Sequence, residues 1–475
     1  MDSKPNIADF TGSEFDVVPF KPVWQPYNKT AITLLDTILK SLPHVPSSPT
    51  RFNKYKTVVA SFLAIAQTVA WRENGALAIP KTRSHWSEYP DVGASMMEYV
   101  RSELEEGEFI TQVARSGQRH FYNDDDGKLQ WIGIQALYTI SDSLYNLEGF
   151  TDAEWIEVGR PTVLVSKFES FASKIVRKER GERKPKMAIK KMINTFRRDY
   201  TLASKEVERL NTFWKQHPLA LPPLGNKCQQ YTSCSTRVYH DGSMDSGGRY
   251  YSSYTNLSTQ YRLQSKIDGE EIVEIDINAS QPTLFSSLMG MKMEVGKTWN
   301  DLYTDIIKSN VNLKAIDESE EIKRRKLKQV TVEIIGSGNP TKVAPAATGD
   351  LNFSKEPDEY GWYRNQLLRS VPALNLLNQN YLNGSGFVSY HEAEIMAATL
   401  KALMDLDVVA YPMHDCLIVK KSNQEIGVKT YRNTITDYIL NYCTKNNKNK
   451  ISISVPVSIE ELGKDKLRLH GSYNS

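Results

Sequence analysis

The chain has 475 residues, 40% hydrophobic and 24% charged, which allows two or three domains with a sizeable core and excludes a largely disordered polymer. No run reaches the roughly 18 apolar residues of a membrane span, and the first thirty residues carry Asp2, Asp9, Glu14 and Asp16 where a signal peptide would be apolar, so a cytoplasmic protein (nucleoid, or host cell if viral) without a membrane partner is expected. The net charge is only +3, and the four cysteines, Cys228, Cys234, Cys416 and Cys443, contain no CxxC pair, which argues against a disulfide framework and for a reducing compartment.

Residues 1–50 are rich in Pro and Ser and read as an extended arm with one short helix around Ala31 to Leu42. Helical spacing of apolar residues follows from Asn53 to Trp71, and again from Ala94 to Glu105. Next come two β-prone runs either side of Ser116-Gly117, expected to form a hairpin carrying Arg115 and Arg119. Helix, helix, hairpin is the order of a winged helix-turn-helix, and equally of other α+β modules. From Lys174 to Arg198 the chain holds eleven Lys/Arg against two Glu. Acidic partners at helical spacing are mostly missing there, so Arg183, Lys184, Lys186, Lys190 and Lys191 are candidates for contact with a nucleic-acid backbone, a solvated helical face being the alternative. The Pro-rich segment HPLALPPLGN, residues 217–226, reads as a linker.

Two later segments carry the chemistry. In EIVEIDINASQP the alternation predicts a strand with Ile272, Glu274 and Asp276 on one side and Val273, Ile275 and Ile277 on the other. A turn through Ala279 to Pro282 then leads into a helix, for whose first turn Pro282 is suited. Strand, carboxylate, turn, helix holds an acid beside a helix N-terminus, where phosphates bind readily. In VVAYPMHDCLIV two apolar runs flank His414 and Asp415 and predict a hairpin turning at Met413 to Asp415. A buried hairpin with His and Asp at its tip must give those groups a partner or a task, although an ordinary turn Asp can cap its own backbone.

Asp276 before a strand-to-helix turn, with His414-Asp415-Cys416 in a later hairpin, resembles the first and last palm motifs of family A DNA polymerases and single-subunit phage- and mitochondrial-type RNA polymerases. Between 235 and 425, about 40% of the chain, two more segments fit that order. Gly248-Arg249-Tyr250-Tyr251-Ser252-Ser253-Tyr254-Thr255-Asn256-Leu257 is similar to the primer-template segment GR-x-SS-x-x-x-NL, the Ser pair displaced by one position, and Arg324 to Lys328 has the R-x-x-x-K spacing that opens the fingers helix. There are departures. Gly336 and Ser337 stand where a Tyr-Gly pair is usual, Cys416 stands where the DNA enzymes have Glu, and only 139 residues separate the two aspartates, which implies reduced fingers.

The resemblance implies a template-directed nucleotidyltransferase, DNA polymerase favoured, that serves replication of a virus or mobile element. Asp276 and Asp415 would be catalytic and would hold two Mg²⁺ (or Mn²⁺) ions with the carbonyl of Ile277. Arg324, Lys328 and Gln281 would bind the nucleoside triphosphate, Gln281 standing where the sugar is sensed. Arg249, Tyr251, Arg262 and His414 would contact primer-template, with DNA favoured and RNA possible. The expected fold class is α+β: an antiparallel palm sheet with helices and reduced fingers in residues 227–475, a mainly helical region in 51–216 with a winged helix as one candidate form, and the arm in 1–50. Other readings stay open: a single-subunit RNA polymerase, a non-catalytic replication initiator or regulatory DNA-binding protein, and a metal-dependent nuclease. The last has no triphosphate to hold and so no use for Arg324 and Lys328. Oligomeric state is not legible.

Overall fold

The computed structural model describes residues 16–72, 74–80, 86, 89, 92–114, 119–123, 129–133, 136–165, 197–224, 228–295, 298–299, 301–341, 351–355, 358–377 and 384–473. The chain forms two compact units, Met1–Pro161 with Trp214–Cys234, and Thr162–Phe213 with Ser235–Ser475. Both mix helices with sheets in an α+β arrangement. No helix among the described residues is long and apolar enough to cross a membrane.

The first unit begins with β1 (Asp16–Pro19), β2 (Trp24–Pro26), α1 (Lys29–Ser41) and α2 (Pro49–Ala70). Pro49 opens α2, where its missing N–H costs nothing, and an unbroken buried run from Val58 to Gln67 makes this its central helix. There follow β3 (Gly75–Ile79), α3 (Ala94–Glu106), β4 (Ile110–Ala114), β5 (Arg119–Asn123), β6 (Leu129–Gly133), β7 (Ala136–Ile140) and β8 (Trp155–Glu157). One sheet has the order β1-β3-β7-β4, parallel only between β1 and β3. The hairpin expected across Ser116-Gly117 does not form between its two flanking runs: β4 pairs with β7 and β5 with β6. β7 is the more apolar partner for β4, and the pairing sets Ile110 opposite Ile140, both buried. Arg115 lies outside the described residues and Arg119 begins β5.

The chain then enters the second unit with β9 (Val163–Val165) and α4 (Arg197–Gln216), and returns to the first for β10 (Leu219–Ala220) and β11 (Gln230–Thr232), which extend β8 and β2 into a second sheet. The basic residues Arg183, Lys184, Lys186, Lys190 and Lys191 lie outside the described residues.

The rest of the second unit is β12 (Thr236–Tyr239), β13 (Gly247–Tyr251), β14 (Lys266–Ile267), β15 (Glu270–Ile277), α5 (Ser280–Leu288), β16 (Thr298–Trp299), α6 (Leu302–Ser309), α7 (Glu320–Ser337), α8 (Glu359–Ser370), α9 (Gly384–Asp405), β17 (Ala410–Met413), β18 (Cys416–Lys420), α10 (Gln424–Lys445), β19 (Ile453–Ser454), β20 (Val457–Glu461), β21 (Leu467–Leu469) and β22 (Gly471–Tyr473). Its principal sheet is antiparallel, in the order β17-β18-β15-β20-β21, so β15 has a partner on each side. The alternation read from IVEIDI is realised. Ile275 and Val419 lie against Gly427 of α10, which therefore covers the apolar face, while Glu274 and Asp276 face the other way. Arg237 of β12 is buried between Glu206 of α4 and Glu394 of α9, at 3.3 and 2.6 Å, and stacks over Tyr239 and Tyr250.

A Cβ on Gly427 would come 2.9 Å from Ile275 Cδ1. Gly427→Ala is expected to be close to neutral, because its gain in helix propensity of about 1 kcal/mol offsets a small shift of that methyl. Gly427→Leu overpacks the strand bearing Asp276 and should cost about 1–3 kcal/mol in urea unfolding.

Candidate active site

β17 and β18 are joined by two residues, His414 and Asp415, with Met413 opposite Cys416. His414 takes φ +58, a left-handed conformation uncommon outside Gly, Asn and Asp and held only where the surroundings enforce it. Tyr431 of α10 fixes the turn by donating from its hydroxyl to the Asp415 carbonyl at 2.8 Å. Tyr254 does the same for Pro412, also at 2.8 Å. Because Asp276 stands opposite Cys416 across β15 and β18, it lies beside the turn that carries Asp415, one residue out of register.

Like charges brought this close resist joint ionisation. Burial first and then the charge of Asp415 push Asp276 up to about 8, against the opposing pull of Lys466 and Lys328. Its side chain is still one-third exposed, and Lys466 Nζ lies 3.8 Å from its Oδ2. Among the described residues the Asp415 carboxylate accepts no hydrogen bond. Cys416 is buried, and burial holds its thiol well above the usual range. The donors on offer are thus oxygens that repel one another, a set that fits a hard divalent cation such as Mg²⁺ or Mn²⁺ better than a thiolate-seeking metal. A separate grouping in the first unit, His44, Glu103 and Glu106, has its ligand atoms within 4.8 Å of one another. There Glu103 already accepts from the His44 backbone N–H at 2.7 Å.

Behind the acid pair lies a third carboxylate. Glu392 of α9 is buried, accepts from Ser280 Oγ at 2.6 Å and forms an ion pair with Arg249. Burial raises its pKa, Arg249 lowers it, and Asp415 raises it again, so Glu392 senses the charge at the hairpin tip. His414 is pushed down to about 4 by burial and then by Arg249, which leaves a neutral imidazole at pH 7. Its ring stands edge-on to Tyr251, centroids 5.3 Å apart, and its Nδ1 is buried with no partner among the described residues. Arg262 is buried and grips both oxygens of Glu274, at 2.5 and 2.8 Å.

The cationic helix is α7, capped by Ser319. Lys326 points inward, bonded to Glu318 and Glu359 at 2.7 Å each. On the outer face Lys328 is exposed, and Arg324, one turn earlier, reaches Asp301 at 2.7 Å and lies over the Tyr303 ring. Asp301 is also the N-cap of α6. Tyr303 is raised to about 12 mainly by burial, with Asp415 the smallest of the contributing charges. Gln281 is half-buried in the first turn of α5, after Ala279 at φ +52. The strand–turn–helix form around it is the one its sequence predicts.

The structure therefore brings Asp276, Asp415, His414, Arg249 and Tyr251 together and joins Lys328 to them electrostatically. Glu392, Tyr303, Asp301, Glu460 and Lys466 belong to the same neighbourhood and were not identified from sequence. Only Asp301 had a local signal, as an acidic residue opening a helix.

No protein-family model and no curated protein matches this chain. Among solved structures it is similar to the POL domain of Pol1 from M. smegmatis in complex with DNA primer-template and dNTP, at 13% identity over 40% of this chain and 43% of that one, with a TM-score of 0.28. The chain thus matches less than half the length of that domain, and a likeness of this size carries no chemistry with it.

The proton on Asp276 has a measurable consequence. Folded protein holds it up to about pH 8, whereas an unperturbed Asp releases it near 3.8. Between those values the folded state binds more protons than the unfolded one, so metal-free protein loses stability as pH rises through the window. In EDTA, Asp276→Asn is expected to melt above the wild type at pH 8, by a margin that narrows as pH falls and closes near about pH 4. Equal melting temperatures at pH 8 would contradict the close acid pair.

Proposed function

We propose that this chain is a template-directed nucleotidyltransferase that extends a 3′-hydroxyl, with DNA synthesis favoured over RNA synthesis. In this reading the antiparallel sheet around β15 is a polymerase palm and α7 is its reduced fingers. The observation that carries it is the register of β15 on β18. That register sets Asp276 beside the turn residue Asp415, in a site whose charge also reaches Lys328.

Asp276 and Asp415, with the carbonyl of Ile277, are the residues that would hold two divalent cations. When bound, such ions lower the pKa of an attacking hydroxyl and neutralise a leaving pyrophosphate. Lys328, exposed on α7, is the first candidate to meet the triphosphate. Arg324 holds α6 to α7 through Asp301 and offers its remaining N–H groups on the same face. Neutral His414 presents an imidazole beside Tyr251 to the primer end, where a charged ring would compete with metal. Arg249 is held by Glu392, and its charge reaches Asp415. Arg262 acts as a positioning residue through Glu274, and the basic residues from Arg183 to Lys191 serve the nucleic-acid backbone.

Primer extension with purified protein, DNA and RNA templates, and dNTPs or NTPs tests the reading. Asp276→Asn and Asp415→Asn should each reduce incorporation to below roughly a few per cent of wild type, while nucleic-acid binding persists. Retention of activity by either variant at normal Mg²⁺ dependence would sink the assignment.

Gln281 decides the sugar. If its side chain blocks the 2′-hydroxyl, Gln281→Ala raises ribonucleotide use relative to deoxynucleotide use. If instead it hydrogen-bonds that hydroxyl in an RNA-making enzyme, the same change lowers ribonucleotide efficiency by about a few-fold to tenfold. Single-nucleotide kinetics with dATP and ATP opposite one template base give the sign, and an unchanged ratio means that Gln281 does not face the sugar.

A further inference from the structure

β20 runs antiparallel to β15 with Ser458 opposite Asp276 and Glu460 opposite Glu274. Directly opposed residues in a ladder project to the same face, so Glu460 shares the face of Asp276. Of the acids there, Glu274 is already taken by both arms of Arg262. Glu460 instead accepts from Lys466, at 2.5 Å, and the same ammonium stands 3.8 Å from Asp276 Oδ2. Lys466 immediately precedes β21, and its side chain and that of Glu460 are about one-third and one-quarter exposed. Lys464 and Lys421 both bond Glu461, which alternates to the far side of β20, while Lys328 reaches Asp276 from α7 by charge alone. A cation on a short tether is therefore shared between one acid of the proposed metal pair and an acid outside it, and it lies closer to the second.

We propose that Lys466 is a built-in counter-ion of the acidic site: without a divalent cation it is shared between Glu460 and the acid pair at Asp276, and when one binds it is held by Glu460 alone. This rests on the reading that Asp276 and Asp415 hold divalent cations. Lys466 then opposes metal binding, and Glu460 favours it only by giving Lys466 somewhere else to go. The device lets two repelling carboxylates fold side by side without metal.

The test is Mn²⁺ binding to the full-length protein without nucleotide or nucleic acid, followed by the electron paramagnetic resonance signal of free Mn²⁺. Both side chains are partly exposed, so the effects should be moderate. Lys466→Met is expected to tighten Mn²⁺ binding, and Glu460→Gln to weaken it, each by about three- to tenfold. Because Glu460 acts through Lys466, the double variant should bind like Lys466→Met alone. Lys466→Gln serves as a second variant if Met disturbs the turn, with thermal melts checking that each protein folds. Two results overturn the proposal while leaving the metal reading intact: single variants that bind as wild type while Asp276→Asn abolishes binding, or an equal loss from Glu460→Gln with and without Lys466, which would make Glu460 a direct ligand. If Asp276→Asn itself binds Mn²⁺ as wild type does, the metal reading falls, and this proposal with it.

Discussion

Everything at the candidate site depends on how β15 is held between β18 and β20. Two ladders, Asp276 to Cys416 on one side and Asp276 to Ser458 on the other, fix the same register independently. A slip of one residue in either would exchange the faces of the strand and drive Asp276 toward α10, where Ile275 now packs against Gly427. The apolar half of IVEIDI thus aims the polar half. Burial of Ile275 and Ile277 is what makes a pair of neighbouring carboxylates tolerable, because the packing that fixes the register outweighs the repulsion it creates.

Around that strand the unit uses buried ion pairs as struts. Arg262 with Glu274, Arg249 with Glu392, Arg237 with Glu394 and Lys326 with Glu359 each connect two different elements. Such pairs add little net stability over apolar packing, yet losing one partner strands a charge at a cost of about 3–5 kcal/mol. Their effect is therefore geometric. Arg249 and Glu392 set the charge behind Asp415, and Arg262 removes Glu274 from the competition for any cation that approaches Asp276. Three arginines whose sequence context suggested contact with a ligand, Arg249, Arg262 and Arg324, have acidic protein partners in this structure. Lys328 is the cation of that set left exposed.

The two units differ in how well local pattern predicted pairing. In the second, each strand of the hairpin tipped by His414 and Asp415 is strongly apolar and its partner is adjacent in sequence, so a two-residue connection was the natural solution. In the first, β4 had a choice between the neighbouring RHFYN and the more distant ALYTI. Pairing with the apolar strand buried more surface than proximity could offset. Proximity in sequence is a good guide only when the nearest strand is also the best packing partner.

By itself the sequence determined the α+β character, the alternation of β15, the turn at His414 and Asp415, the existence of a helix soon after β15 and the one-turn spacing of Arg324 and Lys328. These are local properties, set by side-chain period and backbone conformation over a few residues. Tertiary structure alone decided that Asp276 lies beside the turn carrying Asp415, that Arg249 and Arg262 are claimed by Glu392 and Glu274, and that Lys466 hangs over Asp276. Each of those facts joins residues from 12 to 190 positions apart. A charge in a sequence does not say which distant opposite charge will be buried with it. That choice is made by the packing of the apolar faces, which brings the polar ones together as a consequence.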